Sequence, residues 1–158
     1  MEEAVTMYDV KVEIGTSKTD STWTYSELAA GIENIAEVMN YVINKYQFMS
    51  NKGWGSTYVT GAHNEITLTG RRVRGDAAQD YIFGKKSKFD KDRETSLKIT
   101  VTDNSGASAV TRIWTQDVVI SDMQEYNGAS PDKSAISIVL SCNGQPTEST
   151  SNASSNGG

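Results

Sequence analysis

Cysteine, histidine and long apolar runs are nearly absent from this sequence, and each absence removes a class of protein. Cys142 is the one cysteine in 158 residues, so no intrachain disulfide can form and a disulfide-stapled secreted fold is excluded. His63 is the sole histidine, and one histidine with one distant cysteine does not make a zinc site, which takes three or four such ligands. No apolar run approaches the ~20 residues that span a bilayer. Met1-Glu2-Glu3-Ala4 is acidic, with no basic stretch leading into an apolar one, unlike a secretory signal. The expectation is a soluble chain made in a reducing cytoplasm, with no membrane partner. Aromatics are scarce at 8%, and hydrophobics reach 37%. That is a modest core, suited to one domain that leans on neighbouring subunits.

The constellations that run reactions are missing as well. No serine stands in a nucleophile-elbow context. Gly53-Trp54-Gly55 lacks the third glycine, the preceding strand and the following helix of a dinucleotide fingerprint. Glu33 and Glu37 are possible acid and base partners, but among twenty acidic residues a solvated pair is the plainer reading. Cys142 is in phase with Ile136, Ile138 and Leu140, so it reads as a small buried core residue, and His63 as an exposed turn residue. Neither an enzyme nor a cofactor or metal protein is expected. Net charge is −5 with a pI near 4.9, which disfavours nucleic acid as a bound ligand. Two basic clusters, Arg71-Arg72-Arg74 and Lys85-Lys86-Lys88, read as a solvated face or as ion pairs between subunits. The sequon Asn152-Ala153-Ser154 has no secretion signal to make it meaningful.

What is present is mostly strand. Tyr8, Val10, Val12 and Ile14 alternate with polar residues, the period of a half-buried strand. Gly15 to Ser21 reads as a turn, and Trp23 and Tyr25 open a second extended piece. Leu28, Ile32, Ile35, Met39 and Val42 then recur every three or four residues, as on a helix, with Thr24 and Glu27 as a capping box. Gly31 and the β-branched, aromatic continuation Asn40 to Tyr46 argue for strand, and periodicity leaves the two open. Ser50 to Gly61 reads as a glycine-rich loop and Glu65 to Thr69 as a strand. Asp76 then caps a short helix over about 75–84, with Gln79 answering it, Ala77, Ala78, Tyr81 and Ile82 as its apolar side, and Gly84 ending it. Lys85 to Arg93 is a charged loop. Leu97, Ile99 and Val101 lead through Asp103-Asn104-Ser105-Gly106 into a return strand over Ala109 to Ile120, whose phase slips at Ile113-Trp114 as at a bulge. After a turn at Asn127 to Pro131, Ile136 to Cys142 form the last strand. The fold class expected is mainly β, a β-sandwich or partly open barrel of antiparallel strands with one short flanking α-helix. Residues 1–146 would form the domain, and the Ser/Asn/Thr/Gly-rich residues 147–158 a disordered polar tail.

The stretch from Tyr46 to Phe83 carries a resemblance. An aromatic-flanked Gly53-Trp54-Gly55 loop runs into Val59-Thr60-Gly61; a strand ends at Thr69-Gly70-Arg71-Arg72, and Gly75-Asp76-Ala77-Ala78-Gln79-Asp80-Tyr81-Ile82 follows. This resembles the tail tube (major tail) protein of long-tailed bacteriophages, particularly those of Gram-positive hosts. Trp23 with Gly31-Ile32-Glu33-Asn34-Ile35, and Gly144-Gln145-Pro146 late in the chain, extend the similarity over about Tyr8 to Pro146. The resemblance implies a virion protein, made in the host cytoplasm, whose hexameric rings stack into a tube for DNA ejection. It implies strands near Ile32 to Val38 and Tyr41 to Phe48, and an inter-ring loop over Tyr46 to Gly61 that includes Lys52, Trp54 and Tyr58. It further implies self-association, contacts with tape measure, tail terminator and distal tail proteins, and DNA passing without specific binding through an acidic lumen, with Glu33 and Glu37 as candidate lining residues. The extra C-terminal immunoglobulin-like domain of some relatives has no counterpart here. Two alternatives stay open: an inner tube subunit of a contractile tail or phage-derived bacteriocin, and a carbohydrate-binding β-sandwich of a receptor-binding particle.

Overall fold

The computed structural model describes residues 4–104, 106 and 108–152. In chain order the elements are β1 (Val10–Thr19), β2 (Thr22–Glu27), β3 (Ile32–Gln47), β4 (Gly55–Arg71), α1 (Ala77–Phe83), β5 (Glu94–Asp103), β6 (Val110–Gln124) and β7 (Ala135–Asn152). All seven strands join one antiparallel sheet in the order β2-β1-β5-β6-β7-β4-β3. Consecutive strands β2 and β3 therefore lie at opposite edges of the sheet.

Inward residues from five strands meet in one cluster: Val12 and Ile14, Leu97, Val118 and Ile120, Ile136 to Cys142 in alternation, Ile66 and Leu68. A single sheet can gather them only by curling around them. Leu28 and the α1 residues Ala78, Ile82 and Phe83 complete the same core. The result is a partly open barrel with one flanking helix, in line with the patterning of the strands.

Several local expectations are corrected. Residues 15–21 are not one turn: β1 runs to Thr19, and the turn is Asp20-Ser21 with φ of 49° and 68°. Gly15 lies within the strand, where a Cβ would press on the Trp23 ring at 2.7 Å. The helical spacing from Leu28 to Val42 is misleading, because steps of four satisfy a period of two as well as of 3.6. Ile35 and Met39 are strand neighbours on one face of β3, and Thr24 and Glu27 belong to β2. The two strands expected around residues 32–48 are one unbroken strand. Ser50 to Gly61 is mostly strand too, since β4 begins at Gly55. The connection shrinks to a 3-10 turn, Met49–Asn51, followed by Lys52 and Gly53 with φ of 48° and 92°. His63 is exposed as expected but lies in β4, not in a turn.

In α1 the buried side is Ala78, Gln79, Ile82 and Phe83, while Ala77 is exposed. The ladder between β5 and β6 passes Ile113-Trp114 without a break. The register shifts are on the β7 side, between Thr115 and Asp117, opposite Gly144-Gln145-Pro146, and again between Ile120 and Asp122. Thr147 to Asn152, expected within the polar tail, continue β7 and pair with Val110 to Thr115. The rest of that tail, 153–158, lies outside the described residues.

Candidate assembly surface

β3 and β4 form the longest pairing in the molecule, but they share only part of it with the sheet. β4 pairs with β7 from Glu65 to Arg71. From Gly55 to Asn64 it pairs with β3 alone. The distal part of this hairpin is thus a two-stranded arm, Met39 to Gln47 of β3 against Gly55 to Asn64 of β4, about 30 Å long at ~3.3 Å per residue. Strand pairing leaves backbone donors and acceptors free along both sides of the arm, and along the outer edges of β3 and β2.

The core ends at the arm's root in a polar seal. Asn64 and Gln116, both buried, exchange amide hydrogen bonds: Asn64 Nδ2 donates to Gln116 Oε1 at 3.0 Å and Gln116 Nε2 to Asn64 Oδ1 at 3.3 Å. Gln116 Nε2 also donates to the Gly144 carbonyl at 2.7 Å, so the irregular stretch of β7 is held by a side chain. Trp114 Nε1 donates to Gln116 Oε1 at 3.2 Å.

Beyond this seal the apolar pattern continues without cover. Among the described residues, ten of the fifteen exposed large hydrophobics lie between Val38 and Val59. Directly paired residues share a face, so Tyr41, Ile43 and Val59 extend the core-side face of Ile35 and Leu68. On the opposite face Tyr46 stacks on Phe48 at 5.7 Å and meets Tyr58 at 6.0 Å. At the tip Met49 is 97% exposed and Trp54 80%. Residues 38–64 contain no acidic side chain and two basic ones, Lys45 and Lys52. With the chain at −5, the arm's +2 leaves −7 for everything else.

The expected loop residues Lys52, Trp54 and Tyr58 are therefore all on the arm, with Lys52 and Trp54 at its tip and Tyr58 within β4. Glu33 and Glu37 are not equivalent. Glu33 falls at a register shift between Ile32 and Asn34, and accepts from Arg71 Nε at 3.4 Å. Glu37 pairs with buried Ile66, on the core side of β3, and lines a cleft with Arg112, Trp114 and Glu148.

The helix cap is present, and half of the capping box is replaced. Asp76 Oδ2 accepts from the Gln79 N–H at 3.0 Å. The Gln79 side chain, completely buried, turns instead to two neighbouring chain segments. It donates to the carbonyls of Ala30 (2.7 Å) and Arg71 (3.1 Å), and accepts from the Val73 N–H at 2.9 Å. This fixes where β2 passes to β3 and where β4 leaves the sheet, so Gln79 sets the base of the β3–β4 hairpin, at the end away from the arm. Gly31 and Gly70 meet there, the Arg71 N–H donating to the Gly31 carbonyl at 2.7 Å. A Cβ on either glycine would run into the other segment's backbone.

Sequence reasoning missed a charge cluster that ties α1 to the end of β6. Arg72 donates to Asp80 at 2.8 Å and to Glu125 at 3.0 Å, its guanidinium lying 4.9 Å from the Phe83 ring. Burial works against the Arg72 charge, but the bonds to Asp80 and Glu125 outweigh it and raise its pKa. Asp80 is held below the ordinary carboxylate range by the Arg72 hydrogen bond. For Glu125 burial pushes upward, and the Arg72, Tyr126 and Lys86 bonds overcome it to lower the pKa. Arg72 and Lys86 came from clusters read as a solvated face or as ion pairs between subunits, whereas these pairs form within the chain. Their acidic partners are eight, thirty-nine and fifty-three residues away, and no local pattern announces Glu125.

Cys142 is buried, its thiol pushed up to about 11 by desolvation and then by the fields of Glu37 and Glu65. No group of three or more His, Cys, Asp or Glu side chains among the described residues is placed to hold a metal ion. No helix among them is long and apolar enough to cross a membrane. The features that set this molecule apart are thus a free arm and open strand edges.

The sequence matches no family model and no curated protein sequence. Its structure is similar to several solved tubes. The tail tube of SPP1 aligns with a TM-score of 0.67 at 15% identity, over 92% of this chain and 78% of that one. A chain from the tail of an empty gene transfer agent particle, refined with C6 symmetry, aligns at 0.65 and 12%, over 91% and 98%. A chain from the sheath-tube complex of the extracellular contractile injection system PVC aligns at 0.59 and 14%, over 94% and 93%. The chain has the fold shared by tube proteins of phage-like tails and contractile injection systems.

Proposed function

We propose that this protein is a structural subunit that self-associates into rings and stacks them into a tail tube through which DNA leaves a phage particle. The observation that carries this reading is the arm. A two-stranded hairpin with uncovered apolar faces and free backbone edges is unfavourable in an isolated monomer. Pairing its edges and burying its faces against further copies removes both liabilities. An arm on one surface that engages a different surface of the next copy gives a heterologous contact, which closes into rings or propagates as a filament. The fold's likeness to tube subunits over more than nine-tenths of the chain supports the same reading.

The protein acts by scaffolding, not by catalysis. Outside the arm the chain carries a net −7, and such a surface facing the bore repels phosphate and lets DNA slide. Its further partners would be the tape measure, the terminator that ends the tube and the distal tail protein. The residues of the central stretch favour the tube of a non-contractile long tail of the Gram-positive-host type. A contractile inner tube is the second reading, favoured by the likeness to a chain of a sheath-tube complex. Binding of a contractile sheath protein along preformed tubes would distinguish it.

Electron microscopy of the purified protein at rising concentration tests the proposal. Hollow tubes or stacked rings are expected; compact monomers at every concentration would overturn it.

A further inference from the structure

Between the β1–β2 side of the sheet and the root of β3 lies an open cleft of about 540 Å³, within the size range of built binding pockets. Its floor is apolar, formed by Val10, Leu28, Ile32 and Ile35, and its rim carries Glu27 and Glu33, both exposed. No lysine or arginine lines it, and of the two rim carboxylates Glu33 also bonds to Arg71 Nε at 3.4 Å from outside the cleft. The arm tip has the complementary character. Trp54 and Met49 stand exposed beside Lys52, on a segment with no acidic residue.

We propose that this cleft receives the arm tip of a second copy of the chain, with Trp54 as the anchor on its floor and Lys52 paired to its acidic rim. This rests on the assembly reading above and adds the receiving site. The occupant must be another copy because β3 runs extended from the cleft to the tip. From Ile35, in the cleft, to Gln47, at the tip, β3 is continuously paired with β4, which separates the tip from its own cleft by about 40 Å. Tip and cleft are different surfaces, so each copy can receive one neighbour and reach another, and the contact repeats without limit. A single aromatic in an apolar pocket with a charged rim is the usual composition of an interface hot spot. Exposed carboxylates and lysines contribute mainly to register and to approach, with a salt-sensitive share. In this arrangement Glu33 serves the contact between copies and not the bore.

Oxidative cross-linking tests the pairing directly, because the chain's own Cys142 is buried. The double variant Lys52→Cys/Glu33→Cys should give a ladder of dimers, trimers and longer disulfide-linked chains on a non-reducing gel. Lys52→Cys mixed with Glu33→Cys should stop at the heterodimer. A Lys52→Cys variant combined with Glu148→Cys, on the other cleft, should give no ladder. If the ladder appears with Glu148 and not with Glu33, the tip docks elsewhere and the proposal falls. A second measurement uses charge. Glu27→Lys/Glu33→Lys and Trp54→Ser should each raise the protein concentration needed for assembly about thirtyfold, the effect of losing a hot-spot contact. Adding Lys52→Glu to Glu27→Lys/Glu33→Lys should recover part of the loss. Assembly of the Glu27→Lys/Glu33→Lys variant at the unmodified protein's concentration overturns the cleft assignment while leaving tube formation standing. Failure of the unmodified protein to assemble removes the function proposed above instead.

Discussion

The hairpin of β3 and β4 is two structures in one pair of strands. In its proximal half β4 alternates buried and partly exposed from Asn64 to Gly70, with β7 on its other side and the core beneath it. In its distal half the same two strands pair only with each other, with a register shift between Val42 and Ile43, and among the described residues most of their large apolar side chains are exposed. The side chains do not become polar to match. Tyr41, Val42, Ile43, Tyr46, Tyr58 and Val59 are as apolar as a core requires, and all are exposed. The difference shows that apolar patterning specifies a buried surface without specifying which molecule buries it. The proximal half completes its burial within the chain, and the distal half is shaped for burial between chains.

That contrast makes predictions that separate folding from assembly. Leu68→Ala, in the fully buried proximal half, should cost the monomer about 4 kcal/mol in a urea melt, as removal of a core leucine does. Gly70→Ala should follow at about 3 kcal/mol, since its Cβ meets backbone and not a movable side chain. Arg72→Gln should cost about 2 kcal/mol, because it leaves Glu125 short of its charged partner in a mostly buried place. Tyr41→Ala, on the distal extension of the Leu68 face, should change monomer stability by about 0.5 kcal/mol or less and yet abolish tubes. A large loss of monomer stability from Tyr41→Ala would mean the arm folds onto the body, and the comparison would fail.

The smallest effect is one of pH. Asp80 and Glu125 have folded pKa values below their unfolded ones, so their contribution is full above the ordinary carboxylate range of about 4. It is lost as pH falls from there through the lowered folded values. The apparent melting temperature of the monomer should therefore drop over that acid range. In Arg72→Gln the drop should be shallower, because the partner that lowers both carboxylates is gone.

Much of the body was legible because its signals are local. The alternation of Val10, Val12 and Ile14, the Leu97 hairpin and the Ile136 to Cys142 strand each state a half-buried strand within a few residues. Asp76 states its helix start within three. The boundary of the arm was less legible, since Gly53, Gly55 and Gly61 read as loop while β3 supplies the partner that makes Gly55 to Gly61 strand. The same holds for Thr147 to Asn152. No apolar residue announces a strand there, and the pairing with Val110 to Thr115 is what orders it. The Arg72 cluster and the Asn64–Gln116 seal, fifty-two residues apart in sequence, escaped because their partners are distant.

By itself the sequence determined that this is a β-rich chain with one short capped helix and a cysteine in phase with the core of its last strand. Those properties follow from composition and from periods read over a few residues. Only the tertiary structure decided that residues 32–47 are one strand and that Gln79 braces the base of the hairpin that strand opens. It also decided that the glycine-rich stretch is the far half of a free hairpin. A strand's existence depends on the partner across the ladder, and that partner is fixed by where the chain returns in space and not by its neighbours in sequence.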